Sequence, residues 1–425
     1  MVVFSYMKQK LAIIGVGYVG INLACAFSKE FEVIGYDIDA EKILKMQNGK
    51  DVTGEIKSDL SKYNILFTND ESHLSDADVI LITVPTPVDN DKKTDLTCLE
   101  EATKTVAKNM KTGALVVFES TVAPGTTENL CKNLLEKYSN KKCDKDFYLG
   151  YSPERINPGD KVNTIYNSVK IIASNNKYTL DKMKKIYGSI IKELYVVDSI
   201  KIAEATKLIE NTQRDVNIAF MNQMCEYLTC LNIPRKDVFD AMKSKWNSLD
   251  FNPGLVGGHC ISVDPYYLIE SATENEIDIS LIKESRIVNE RTSDFVVNRV
   301  SSIIDNNKKI GILGFSYKKD SNDIRNTKVY DIYKKLVDDG YYVEVSDYNL
   351  NYNQKTLKDY NVNFVENVGN VDLLILAVPH NKYLELSPKD YKKMFGNNIS
   401  NIIFDIYNVL DIENFKKHNI KIERM

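Results

Sequence analysis

The chain has 425 residues, 43% hydrophobic and 27% charged, with a formal net charge of -4. That length allows two or three domains with their own cores, and the charge balance excludes a global basic field for nucleic acid. No apolar run approaches the roughly 20 residues that span a bilayer, and Met1 to Lys10 has neither the basic start nor the apolar stretch of a signal peptide, so a cytoplasmic protein with no membrane or nucleic-acid partner is expected.

Residues before Lys10 are expected to form a short disordered extension. Lys10 to Gly15 predicts a buried strand, followed by a glycine turn, an apolar helix through about Lys29, and a second strand from Phe31 to Tyr36. Further strands are predicted at Val79–Ile82, Ala114–Phe118, Phe147–Gly150, Val169–Ile172 and Leu194–Val197, with helical stretches between most of them. This alternation predicts a largely parallel α/β sheet over 1–198. From Ile200 to about Leu231 there is no glycine or proline, and apolar residues recur at helical spacing, which predicts one long helix stopped by Pro234. Helices near Arg235–Lys245 and Leu281–Ile304 complete a helical middle section, 199–304. At Lys309 the strand pattern restarts with Ile310–Phe315. A helix near Val329–Asp338 follows, then strands at Tyr341–Asp347 and Leu373–Pro379, the latter resembling Val79–Pro85. The fold class is therefore α/β: two Rossmann-like doubly wound domains, 1–198 and 305–425, joined by a helical middle domain whose long helix is the connector. The second Rossmann-like unit lacks a third glycine, so no second dinucleotide is expected there.

Gly15-x-Gly17-x-x-Gly20 has the context that a dinucleotide fingerprint needs: a strand before, a helix after, and Asp37 at the end of the second strand. Gly15 permits the tight turn, Gly17 lets backbone approach a pyrophosphate, and Gly20 permits close helix–strand packing. Asp37 can accept hydrogen bonds from both ribose hydroxyls and would repel a 2′-phosphate, favouring NAD over NADP. The loops Val84–Pro87 and Ser120–Thr127 follow strands, at the edge where ligands bind; turn and N-cap chemistry is the alternative for their hydroxyls.

The seven cysteines are odd in number and include no C-x-x-C pair, which argues for reduced thiols and against a zinc or disulfide framework; no metal is expected. Only Cys260 lies between glycines, Gly257-Gly258, and a polar segment, Asp264–Tyr267. A cysteine alone is more often buried than nucleophilic; thiolate character would need a nearby cation or base, with His259, Lys207 and Asp264 as candidates. Lys207 and Asn211 are four apart on the long helix, hence on one face, where they could donate to an oxyanion. By spacing alone a solvated face beside Glu204 and Glu210 is the commoner outcome.

In chain order, the nucleotide fingerprint, Val84–Pro87, Ser120-Thr121-Val122, Tyr151–Arg155, Lys207 with Asn211, Gly257–Asp264, and Tyr317–Asp320 with Asp323 and Arg325 together resemble the UDP-glucose/GDP-mannose dehydrogenase family. The resemblance covers nearly the whole chain. Ser152–Gly159 and Asn252–Cys260 look like the branch acting on UDP-N-acetylhexosamines, most like UDP-N-acetylglucosamine 6-dehydrogenases of O-antigen and Vi-type capsule synthesis.

The resemblance implies two successive NAD-dependent oxidations at C6 of the sugar. A water held by Thr121 and Asp264 would be the base, Cys260 would carry a thiohemiacetal and then a thioester, and Lys207 and Asn211 would stabilise oxyanions. Glu154 or Asp264 would assist hydrolysis. It further implies cofactor contacts by Tyr18, Val19, Lys42, Thr86, Thr121 and Arg325. Substrate contacts are implied for Glu154, Arg155, Phe251, Gly254, Leu255, Gly257, Tyr317 and Lys318, with a homodimer or higher homo-oligomer formed through the long helix. The chain departs from the family pattern at Ser321, Asn322 and Ile324, where Thr and Gly are common, and at Ser262, where Gly is common.

Two other classes compete. A two-electron hydroxyacid dehydrogenase would share the first fold and the helical middle, but needs neither the thiol nor the unit starting at Ile310. A non-catalytic NAD-binding scaffold would have no reason to keep these candidate residues.

Overall fold

A computed structural model describes residues 9–89, 91–154, 164–352, 355–398 and 400–425. The expected N-terminal extension before Lys10 lies almost wholly outside the described residues. The chain divides into two compact units, Met1–Glu210 with Tyr266–Ile277, and Asn211–Pro265 with Asp278–Met425.

In the first unit, β1 (Lys10–Ile14), α1 (Tyr18–Phe27) and β2 (Glu32–Tyr36) form the expected strand–helix–strand start. They are followed by α2 (Ala40–Gln47), β3 (Ile65–Thr68), β4 (Val79–Ile82), α3 (Thr97–Asn109) and β5 (Leu115–Phe118). Then come α4 (Lys132–Ser139), β6 (Tyr148–Tyr151), β7 (Lys170–Ala173), α5 (Lys177–Gly188) and β8 (Leu194–Val197). The strands form one sheet in the order β3-β2-β1-β4-β5-β6-β7-β8. Every neighbouring pair is parallel except β6 with β7. Alternate residues of each strand feed opposite faces. Ala12, Ile14, Ile80, Ile82, Val116 and Phe118 pack into one core, while Leu11, Ile13, Val79, Leu81, Leu115 and Val117 pack into the other. Two covered faces explain why these strands read as unbroken apolar runs. Strand β3 escapes sequence reading because it lies at the sheet edge with Leu66 exposed.

Helix α6 (Ile200–Cys230) is the long helix expected, and α7 (Arg235–Lys243) follows Pro234. Helix α8 (Asp264–Glu274) is absent from the sequence pattern: the Asp264-Pro265 pair that reads as a polar segment is a helix start, where proline is tolerated. Helix α9 (Ser280–Ser301) leads to β9 (Lys309–Leu313), α10 (Lys328–Asp338), β10 (Tyr342–Ser346), β11 (Leu373–Leu376), β12 (Ile402–Asp405) and β13 (Lys421–Arg424). These strands make a parallel sheet in the order β10-β9-β11-β12-β13. Asp347, just after β10, occupies the place that Asp37 holds after β2. Its Oδ2 accepts from the N–H groups of Phe315 (2.7 Å) and Ser316 (3.0 Å) and lies 3.0 Å from His380 Nε2. Among the described residues, no helix is long and apolar enough to cross a membrane.

In the second unit α6 and α9 are held by a buried ion pair, Arg286 Nη1 to Asp215 Oδ1 at 2.5 Å, with Asn289 Nδ2 donating to the same oxygen at 2.8 Å. Removing one partner of a buried pair strands the other charge. Asp215→Ala is expected to lower unfolding free energy by about 3 kcal/mol, measured by urea titration. A change below about 1 kcal/mol, the range of exposed pairs, would contradict the assigned burial.

Candidate active site

The first unit builds a ligand edge from three loops at the carboxyl ends of β1, β4 and β5. The strand order reverses between β1 and β4, the crevice where doubly wound sheets take ligands. Gly15 turns the chain at φ +90°, a conformation that side chains resist. A Cβ on Gly20 would stand 2.1 Å from the Gly15 carbonyl oxygen, so helix and turn touch there. A Cβ on Gly17 would meet nothing within 4 Å. The glycine that fold packing does not require is the one facing open space, where a pyrophosphate needs close backbone approach. The first turn of α1, Tyr18, Val19 and Gly20, begins there, and a helix N-terminus favours phosphate.

Asp37 closes the other side. Its Oδ2 accepts from Val16 N–H (3.1 Å) and Lys42 Nζ (2.7 Å), and its Oδ1 accepts from Asp39 N–H (3.1 Å). The carboxylate is thus fixed at the end of β2, with acceptor capacity left for ribose hydroxyls. Thr83 Oγ1 donates to the Gly15 carbonyl (2.8 Å), Ser120 Oγ to the Val84 carbonyl (2.6 Å), and Thr86 Oγ1 to the Thr121 carbonyl (2.7 Å). These hydroxyls tie the three loops together. The residues present fit a dinucleotide.

By spacing, Glu204 belongs to a solvated face of the long helix. It is instead buried, and accepts from the N–H groups of Gly125 (2.5 Å) and Thr127 (2.9 Å). Burial raises its pKa, against the pull of those donors. It thereby anchors the loop that carries Thr121. Lys207 is also buried, its ammonium donating to the Glu154 carbonyl at 2.7 Å. The solvated reading of this face therefore fails at 204, 207 and 211, while Glu210 is exposed.

Behind Glu154 lies a cluster that sequence reading missed. Lys170 Nζ donates to Glu154 Oε2 (2.5 Å) and to Glu119 Oε2 (2.7 Å), and Tyr187 OH donates to Glu119 Oε1 (2.5 Å). The antiparallel pairing of β6 and β7 causes it. Tyr151 pairs with Ala173, so counting outward sets Glu154 opposite Lys170. Arg155 falls outside the described residues.

In the second unit, Cys260 is half-buried in the turn that leads into α8. Its carbonyl accepts from the N–H groups of Val263 (3.0 Å) and Asp264 (2.8 Å). Asp264 is buried, and its Oδ2 accepts from Asn211 Nδ2; Arg214 Nη2 donates to Asn211 Oδ1. The Gly257-Gly258 pair is explained by Tyr317. A Cβ on Gly258, at φ +85°, would lie 2.6 Å from the Tyr317 ring, and one on Gly257 2.7 Å from the Asn326 carbonyl oxygen. Asn326 Nδ2 also donates to the Gly258 carbonyl at 2.9 Å. Lys318 follows Tyr317 in this loop and is half-buried. His259 turns to Asp323 and Arg325: its Nδ1 is 3.7 Å from Asp323 Oδ2 and 3.3 Å from Arg325 Nη2. Arg325 Nε donates to both Asp323 oxygens, at 3.0 and 3.1 Å. Burial raises the Asp323 pKa, but the Arg325 guanidinium outweighs it, and the net shift is down.

Phe251 to Leu255 is held by Asn222 of α6, whose Oδ1 accepts from Gly254 N–H (2.8 Å) and whose Nδ2 donates to the Gly254 carbonyl (3.1 Å). A Cβ on Gly254 would strike the Tyr407 ring at 2.6 Å. Of the other cysteines, burial pushes the thiols of Cys25 and Cys131 up to about 12 and that of Cys143 to about 11, which keeps them protonated and inert.

A doubly wound sheet with this glycine loop and Asp37 defines a dinucleotide-dependent oxidoreductase. The family models agree: residues 9–191 match the NAD binding domain, 201–291 the central domain and 311–412 the UDP binding domain of the UDP-glucose/GDP-mannose dehydrogenase family. The chain is 39% identical over 415 residues to "Protein CapL" of Staphylococcus aureus, covering 95% of this chain and 97% of that one. It is 37% identical over 421 residues to the UDP-N-acetyl-D-glucosamine 6-dehydrogenase of Salmonella typhi, covering 96% and 98%. The solved structure of a UDP-D-ManNAc dehydrogenase from Pyrococcus horikoshii superposes with a TM-score of 0.85 at 27% identity, covering 98% and 99%. The chain belongs to the UDP-glucose/GDP-mannose dehydrogenase family, and is an NAD-dependent UDP-sugar dehydrogenase.

The two glycines should separate binding from folding. Gly17→Val is expected to weaken NAD binding by at least about tenfold, or 1.4 kcal/mol, with the melting temperature unchanged. Gly20→Val is expected to lower the melting temperature itself. NAD titration with thermal melts of both variants checks this; equal effects of the two on folding would contradict it.

Proposed function

We propose that this enzyme oxidises C6 of a UDP-N-acetylhexosamine from alcohol to acid in four electrons, through a covalent adduct on Cys260. The preferred substrate is UDP-N-acetylglucosamine. The observation that carries this reading is the Cys260 turn: a half-buried thiol, glycines packed on Tyr317, and the Asn211–Asp264 pair at the start of the following helix. Support for the sugar comes from the relative in Salmonella typhi, whose name states that activity.

NAD, when bound, supplies the hydride acceptor, and two molecules are used per substrate. In the proposed sequence a water held by Thr121 and Asp264 takes the C6 hydroxyl proton as the first hydride leaves C6, which gives an aldehyde. The Cys260 sulfur then adds to the aldehyde carbon. Loss of the second hydride leaves a thioester. Water adds to it, the carbon–sulfur bond breaks, and the electron pair returns to sulfur. Splitting the reaction this way keeps a reactive aldehyde from escaping. Lys207 and Asn211 are assigned the oxyanions, as donors aimed where charge develops. Both side chains already have acceptors, the Glu154 carbonyl and the Asp264 carboxylate, so each starts from a fixed position.

Asp264, with Thr121, is assigned the water that takes the C6 hydroxyl proton, and Glu154 or Asp264 the water that hydrolyses the thioester. Tyr18, Val19, Lys42, Thr86 and Arg325 are assigned to NAD. Arg155, Phe251, Gly254, Leu255, Gly257, Tyr317 and Lys318 are assigned to the nucleotide sugar. The same reading takes the chain as three domains, 1–198, 199–304 and 305–425, working in the cytoplasm as a homodimer or higher homo-oligomer, with the product feeding surface polysaccharide synthesis.

Two NADH are expected for each uronic acid formed, and UDP-N-acetylglucosamine is expected to outrun its galacto and manno epimers and UDP-glucose. Such epimers differ by a few pocket contacts, each worth about 1–3 kcal/mol. One NADH per product, with ketone or free aldehyde released, would overturn the four-electron reading. Cys260→Ser is expected to abolish acid formation while leaving NAD affinity intact; full acid formation by that variant would remove Cys260 from the chemistry.

A further inference from the structure

The first unit contains buried charge that the chemistry above uses only in part. Lys170, Glu119 and Glu154 have side-chain exposures of 4%, 0% and 10%. Each buried ion costs several kcal/mol, and an apolar set of similar volume is often as stable or more so. A single ammonium is shared by two carboxylates, and one of these belongs to a residue assigned to substrate chemistry.

We propose that Lys170 is a positioning residue for Glu154: its ammonium, shared with Glu119 and backed by Tyr187, fixes the Glu154 carboxylate and sets its charge for activating water at the thioester. The proposal rests on the reading in which Glu154 assists thioester hydrolysis. In that step the water oxygen bonds to the thioester carbon and the water proton passes to Glu154. The carbon–sulfur bond breaks, with its electron pair going to the Cys260 sulfur.

Four elements define the geometry. Glu119 follows β5, Glu154 follows β6, Lys170 opens the antiparallel β7, and Tyr187 projects from α5. Glu154 is held at both ends, its carboxylate by Lys170 (2.5 Å) and its carbonyl by Lys207 (2.7 Å). Glu119 is held by Lys170 (2.7 Å) and Tyr187 (2.5 Å), and the Lys170 ammonium lies 5.6 Å from the Tyr187 ring centroid. Ser152, beside Tyr187, hydrogen-bonds through Oγ to the Ile171 carbonyl at 2.7 Å. The groups facing the two carboxylates from these elements are thus Lys170 and Tyr187, with Ser152 behind Tyr187 and Lys207 of α6 on the Glu154 backbone carbonyl.

Two carboxylates on one ammonium leave a net negative charge in a buried site, unless one holds a proton. Burial pushes the Glu119 carboxyl up to about 7; Lys170 pulls it down, and the Glu154 charge adds to the rise. Burial works against the Lys170 ammonium too, but Glu119 and Glu154 outweigh it and hold its pKa above the ordinary lysine value. Below neutrality Glu119 holds its proton and Lys170 serves Glu154. Above it Glu119 ionises and shares the ammonium, so less positive charge opposes transfer of the water proton to Glu154.

The test uses the full chain with NAD and UDP-N-acetylglucosamine, and follows loss of the Cys260 adduct by quenched intact-mass measurement. Lys170→Met is expected to slow adduct loss about 100-fold, the cost of misplacing a reacting group by about 1 Å. KM for both substrates should stay within about threefold, since uniform binding is untouched. Lys170→Arg, which keeps the charge, is expected to recover most of the rate. The wild-type rate of adduct loss should rise through about pH 7, and Glu119→Gln should flatten that rise. Glu154→Gln is the control: if it loses the adduct at the wild-type rate, the reading of Glu154 falls, and this proposal with it. If Glu154→Gln accumulates adduct and Lys170→Met does not, the proposal alone is overturned. Should Lys170→Met fail to fold, Glu119→Gln decides: a flattened profile supports the proposal and an unchanged one overturns it.

Discussion

A line of buried hydrogen-bonding side chains along α6 is the constraint on which the candidate site depends. Glu204, Lys207, Asn211, Asp215 and Asn222 recur at spacings of three, four or seven, and so share one face of a helix. All five are buried, and each is committed to a loop or neighbour within its own unit. Glu204 holds the Gly125–Thr127 turn and Lys207 the Glu154 carbonyl. Asn211 holds Asp264, Asp215 holds Arg286, and Asn222 holds Gly254. Buried polar groups are tolerated only when satisfied. The requirement runs both ways: the helix fixes the loops, and the loops are what let the helix bury such a polar face.

This also explains where sequence reading succeeds and where it fails. The Lys10–Asp37 start, the strands with two covered faces and the long helix are carried by periodicity and by glycine placement, which are local signals. Strands β12 and β13 carry too little local signal, because Ile402–Asp405 is a run of three apolar residues and Lys421–Arg424 has one. Pairing of β12 with β11, and of β13 with β12, supplies what their own residues do not. Glu204 was misjudged for a related reason: a charged residue on a helix is usually solvated, and only the fold brings two backbone N–H groups to it.

The candidate site shows the same division. Gly15, Gly17, Gly20 and Asp37 are readable because their geometry is built within one strand–helix–strand unit. Gly257 and Gly258 can be recognised as unusual, but their causes, the Asn326 carbonyl and the Tyr317 ring, are about sixty to seventy residues away in the chain. Lys170 and Glu119 carry no motif at all. Their meeting with Glu154 follows from the reversal of chain direction between β6 and β7, which no composition or spacing announces. A carboxylate opposite a lysine across an antiparallel pair is a register effect, and register is set by the whole sheet.

The proposed chemistry has one central demand: the substrate must stay attached between two oxidations. Cys260 is the residue assigned to that task, in a turn whose glycines leave no room for variation against Tyr317. The most direct measurement is peptide mapping by mass spectrometry after rapid quench of wild-type enzyme turning over UDP-N-acetylglucosamine with NAD. The account predicts a nucleotide-sugar mass on the peptide containing Cys260, formed and lost at rates that match turnover. Steady turnover to acid with that peptide unmodified at every quench time, or with the mass on another cysteine, would contradict it.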